Sequence, residues 1–160
     1  MTKFHGSPTA PPGRPGELEN ALSYMQCVLV ARRTRATPEK ITWSQYDVLE
    51  TLRIHGPMTP SAIGESLGIS RQSTSKVLRV LKDQFLIEQA SRGTDRREQT
   101  TSLTAEGEEF LMRAAQGRRE TAKVAEAALS SGEAHLFAEL CQKVADALHS
   151  TPQPFPLRDV

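Results

Sequence analysis

Between residues 17 and 35 the apolar side chains Leu18, Leu22, Met25 and Leu29 fall four, three and four apart, with Ala21 and Val28 beside them. That spacing lays them along one stripe and predicts an amphipathic helix over Glu17–Arg35. Thr42 with Gln45 three residues on forms a capping box for a second helix. Trp43, Tyr46, Leu49 and Leu52 share its apolar face, and Gly56-Pro57 stops it. Thr59 is a good N-cap with Pro60 at the first helical position, Ile63 and Leu67 turned inward, and Gly68 able to take a left-handed, helix-ending conformation. Ser70 then caps a helix from Arg71 to about Gln84, which is expected to bury Val77, Leu78, Leu81 and Phe85. Two helices joined by so tight a Gly-containing turn must cross steeply, which is helix-turn-helix geometry.

The period changes after that. Residues 85–90 read as a strand, 91–97 as a polar turn holding Gly93 and Asp95, and 98–103 as a Thr-rich second strand. Together they predict a β-hairpin, a wing. Thr104 caps a helix over Ala105–Leu129 with a weak point at Gly117. Ser130 with Glu133 forms another capping box before a last helix striped by Phe137, Leu140, Val144 and Leu148. Residues 1–16, with four prolines and three glycines, read as a disordered arm, and 151–160 as a flexible tail. The expected fold is mainly α with a small β-hairpin wing: a winged helix-turn-helix over residues 17–150. Its central lobe, with the helix-turn-helix and wing, spans about 42–103, flanked by helices over about 17–36 and 105–149.

The 160 residues carry a net charge of only +1, but residues 70–97 hold seven basic and three acidic side chains, a surplus of four. Residues 104–150 hold five basic and eight acidic. One basic segment in a neutral chain points to a localised anionic partner. No apolar run is long enough to span a membrane, and the N-terminus has no secretory apolar region. The two cysteines, Cys27 and Cys141, are far apart in sequence and outside any CxxC. A cytoplasmic chain follows. No catalytic, metal-ligand or cofactor-binding pattern occurs, and His5, His55, His135 and His149 are scattered. No enzyme activity, metal or cofactor is expected.

The polar residues at the start of the helix after Ser70 suit nucleic acid. Beyond the cap stand Arg71, Gln72, Ser73, Ser75, Lys76 and Arg79. Arginine and lysine pair with guanine edges, glutamine with adenine, and serine with phosphate or bases. The hairpin tip adds Arg92, Asp95, Arg96 and Arg97. Three arginines on one turn do little for folding, whereas the negative potential of a narrow minor groove favours them. Asp95 is placed to aim Arg97 through a charge-assisted hydrogen bond.

This order of elements resembles the MarR family (multiple antibiotic resistance regulators) of bacterial winged-helix transcription factors, over about residues 17–150. The most specific segment is 95–107, similar to the family's wing signature of an Asp, an Arg two residues later, and a Leu-Thr leading into a Gly. Residues 63–73 look like its first helix and turn. Phe85 stands where Gly is usual, Gly64 where Ala is, and Thr101 where an apolar residue is. The resemblance implies a homodimeric repressor on a pseudo-palindromic operator in double-stranded DNA. It further implies a small aromatic or phenolic effector, with Met25, Arg32, Trp43, Tyr46 and His55 as candidate contacts. The terminal stripes are expected to interlock across a two-fold axis. Two alternatives stay open: a redox-switched regulator through Cys27, which an apolar helix without a nearby cation would keep inert, and an interaction or ligand-binding module without operator binding.

Overall fold

The computed structural model describes residues 13–35, 40–91 and 99–151. Two compact units divide the chain at residues 36 and 37. The first holds α1 (Glu17–Thr34). The second holds α2 (Trp43–His55), α3 (Pro60–Leu67), α4 (Arg71–Asp83), β1 (Ile87–Ser91), β2 (Gln99–Leu103), α5 (Ala105–Ala114), α6 (Gln116–Ala128) and α7 (Ser131–Ser150). This is the mainly helical, winged helix-turn-helix architecture expected from the pattern.

Local chemistry sets the helix ends. At α2 the Gln45 N–H donates to Thr42 Oγ1 at 3.3 Å, while the Thr42 N–H donates to Gln45 Oε1 at 2.9 Å. Thr59 caps α3, Ser70 caps α4 and Thr104 caps α5, each accepting from a backbone N–H three residues on. Gly68 ends α3 at φ 64°, ψ 34°, so the chain reverses into Ser70 within two residues.

The core of the second unit joins α2, α3, α4, the hairpin base and α5. Val48, Leu49, Ile63, Leu81, Ile87 and Leu111 are its most deeply buried members. β1 and β2 pair antiparallel, Ile87 opposite Leu103 and Gln89 opposite Thr101. Met58, in the turn between α2 and α3, exchanges both backbone hydrogen bonds with Thr101, at 3.0 and 2.8 Å. That bridge ties the hairpin to the start of the helix-turn-helix.

Three expectations change. Phe85 is neither buried nor in the strand: it is 78% exposed at φ 58°, because α4 ends by turning through a left-handed residue that throws its side chain outward. The strand starts at Ile87, after Leu86 has entered the core. The helix expected over Ala105–Leu129 is interrupted at Ala115, two residues before Gly117, where ψ moves to −7° and the methyl is fully buried. Among the described residues no helix is long and apolar enough to cross a membrane.

Candidate nucleic-acid interface

The stripe Ser73, Thr74, Val77, Leu78 and Leu81 anchors α4 in the core. Helical periodicity therefore leaves Arg71, Gln72, Ser75, Lys76, Arg79 and Lys82 exposed. Ser73 does not belong with them. It is 1% exposed, one turn before Val77, and its N–H is spent on the Ser70 cap. The signal was present in the sequence, since residue 73 shares a face with 77 and 81. Ser75 bends its hydroxyl back to the Arg71 carbonyl at 3.0 Å.

A groove of about 720 Å³ runs beside this helix, walled by the N-terminus of α3, the flank of α4 and the inner face of the hairpin. Lys82, Gln89 and Gln99 line it together with Arg71, Ser75 and Arg79. The first three were not singled out from the sequence, because only the hairpin's folding back on α4 brings them together. Arg92, Asp95, Arg96 and Arg97 lie outside the described residues.

The effector candidates are placed as follows. Trp43 and Tyr46 are half-buried and meet edge to face at 5.5 Å. The Tyr46 hydroxyl accepts from Arg118 Nη1 at 3.3 Å, and the same guanidinium lies 2.9 Å from Glu50 Oε2, tying α6 to α2. Arg53 also pairs with Glu50, at 2.6 Å, and that hydrogen bond raises the guanidinium's pKa. His55 stacks on His149 of α7 with ring centres 6.5 Å apart. Met25 and Arg32 are exposed on α1. A second groove, of about 490 Å³ and lined by none of these candidates, lies between the end of α2, the end of β2, α5 and α6. It carries Arg53, Arg118 and Arg119 beside Leu52, Leu111 and Met112. Cys27, expected in an apolar setting, is exposed on α1, as Cys141 is on α7, because neither helix is covered at that point in the single chain.

With this geometry in view, the profile MarR_2, described as MarR family, matches residues 40–98. Over those residues the chain is similar to the MarR family. Solved structures extend the fold likeness over most of the chain. NadR in complex with 4-hydroxyphenylacetate superposes with a TM-score of 0.69 at 20% identity, covering 86% of this chain and 98% of its own. The PcaV transcriptional regulator from Streptomyces coelicolor, in complex with its natural ligand, gives 0.62 at 24%, covering 88% and 99%. BpsR of Bordetella bronchiseptica, whose DNA binding is regulated by 6-hydroxynicotinic acid, gives 0.62 at 21%, covering 81% and 99%. No curated protein matches in sequence.

The departures from the MarR pattern have local causes. A Cβ at Gly64 would lie 2.7 Å from Thr74 Oγ1 and 3.2 Å from the Ile69 carbonyl. Threonine on α4 therefore excludes alanine on α3 at their crossing. Thr101 is fully buried and serves as an acceptor for Gln89 Nε2 at 3.3 Å, so its hydroxyl is satisfied where an apolar residue is usual. Phe85 keeps the left-handed turn that glycine makes at this point, and its carbonyl accepts from Thr104 Oγ1 at 2.6 Å.

Proposed function

We propose that the protein is a homodimeric, sequence-specific DNA-binding transcriptional regulator, a repressor released from its operator by a small aromatic acid. The observation that carries this reading is the exposed row Arg71, Gln72, Ser75, Lys76 and Arg79 on a helix capped by Ser70 and anchored by its opposite face. A rigid helix presenting amide and cationic donors from its first turns suits the major groove, where such donors discriminate base edges. The arginines of the hairpin tip, Arg92, Arg96 and Arg97, with Asp95 beside them, are the natural minor-groove contacts in this reading.

The effector follows from two supports. NadR and BpsR are each named with an aromatic carboxylate. In this chain the second groove sets Arg119, which has no carboxylate partner among the described residues, against Leu52, Leu111 and Met112. Glu108 and the Glu50-paired Arg53 and Arg118 also line it, a setting that suits a ring bearing a carboxylate. It touches Gly56 and Pro57 before α3 and Ser102 and Leu103 at the wing base, so an occupant bears on the segment leading into the helix-turn-helix and on the base of the wing.

Selection of duplexes from a random library by the purified protein tests the reading. The expected product is a pseudo-palindrome with half-sites centred about 10 bp apart. Gln72→Ala and Lys76→Ala should each relax the selected preference, costing on the order of 1–3 kcal/mol per lost base pairing. Recovery of no common sequence, or an unchanged preference in both variants, would overturn it.

A further inference from the structure

Several cations elsewhere in the second unit are neutralised locally, while Arg119 and Lys143 are in no ion pair among the described residues. Arg53 and Arg118 share Glu50, Arg113 lies against Glu106, and Lys123 against Glu120. Along α4 the pattern reverses. Arg71, Arg79 and Lys82 have no carboxylate within ion-pair distance among the described residues, and all three line one groove. Among the described residues that line it, none is acidic. Of these described residues Pro60 and Leu78 are apolar; the remainder are hydroxyls, amides and the three cations. Such a lining offers an anionic chain many donors.

Shape points the same way. From Arg71 to Lys82 the helix advances three turns, about 16 Å at 1.5 Å per residue. A DNA strand carries a charge about every 3.4 Å of its axis, so several phosphates fit along that length. Successive helical residues are about 100° apart, which puts Arg71, Ser75 and Lys82 on one flank and Gln72 and Lys76 on another. Gln72 and Lys76 do not line the groove. Across from α4, Gln89 and Gln99 supply amide donors from the hairpin.

We infer that this groove is the seat of one sugar-phosphate strand: Lys82, Arg79 and Arg71 hold its phosphodiester oxygens, while Gln72 and Lys76 on the outer flank read bases. The inference rests on the DNA-binding reading and refines it. It moves Arg71 from guanine recognition to backbone positioning and adds Lys82, three turns along, to the interface. Phosphate contacts of this kind fix register and orientation without carrying sequence information.

Salt dependence separates the two roles. Binding of the full-length protein to a labelled mixed-sequence duplex and to a selected duplex is measured across a salt series. The variants are Lys82→Gln, Arg79→Gln and Gln72→Ala, all at exposed positions, with thermal melts to verify folding. Lys82→Gln should weaken binding by the same factor on both duplexes and lower the log–log salt slope by about one for each bound protomer. Gln72→Ala should leave the slope unchanged and lose affinity on the selected duplex alone. If Lys82→Gln and Arg79→Gln both keep the wild-type slope on a duplex that the wild type binds, the groove is not the phosphate seat and the DNA-binding reading stands. A loss confined to the selected duplex in Lys82→Gln would make it a base reader and overturn the inference. Failure of the wild type to bind either duplex would sink both.

Discussion

Phe85 holds a conformation that an L side chain adopts only at a cost of roughly 1–2 kcal/mol. Its φ is 58°, and with 78% of the residue exposed, packing returns little of that cost. The left-handed turn is imposed from both sides: α4 must end before Leu86 enters the core, and Thr104 Oγ1 pins the Phe85 carbonyl. Phe85→Gly should therefore raise stability by about 0.5–1 kcal/mol, the relieved strain exceeding the added flexibility of the unfolded chain. Urea unfolding midpoints of the two proteins check this; a lower midpoint for the glycine variant would show that the ring contributes packing. The helical phase that misplaced Ser73 was readable from Val77 and Leu81. Phe85 was not readable, because an apolar residue after an amphipathic helix looks like core unless the turn that follows is known.

At the scale of elements, the caps were the most legible feature. Thr42, Thr59, Ser70, Thr104 and Ser130 all act where their spacing placed them, since a cap needs only atoms three residues away. The box at α7 has a pH signature. The Ser130 N–H and hydroxyl both donate to Glu133 Oε2 at 2.8 Å, and these hydrogen bonds, the backbone one foremost, hold the Glu133 carboxyl below its usual range. A depressed folded-state value means that this contribution is fully present above the unfolded carboxylate range. It is lost as pH falls through the folded value. Amide exchange at the start of α7 should accelerate on acidification in the wild type and be fast and flat with pH in Glu133→Ala, after correction for intrinsic exchange. Equal pH profiles in the two proteins would show that the box does not hold the helix end. The ties between elements, Glu50 with Arg118 and Met58 with Thr101, gave no sequence signal, because each joins residues more than forty positions apart.

At the scale of the whole molecule, α6 and α7 bury none of their residues in the single chain. Phe137, Leu140, Val144 and Leu148 stay 39–65% exposed along a 20-residue helix. A stripe of that length in water is unfavourable unless a second surface covers it, and a second copy of the chain is the proposed cover. Leu140→Glu should leave the lobe around Leu49 and Ile63 folded yet shift the sedimenting species from twice the 17.6 kDa chain mass to one chain. An unchanged dimer would place the interface elsewhere.

What the sequence by itself determined was local in origin: the helix periods, the caps, the Gly68 reversal and the polar row on α4. Those signals act over three or four residues, within reach of one side chain and its neighbouring backbone. The tertiary structure alone decided which surface became a groove, which cations stayed unpaired and which glycine had to remain small. Each depends on which distant element arrives alongside: the hairpin opposite Lys82, Thr74 across from Gly64, α6 against Glu50. Such pairings are chosen by burial of the shared core, and no short segment encodes them.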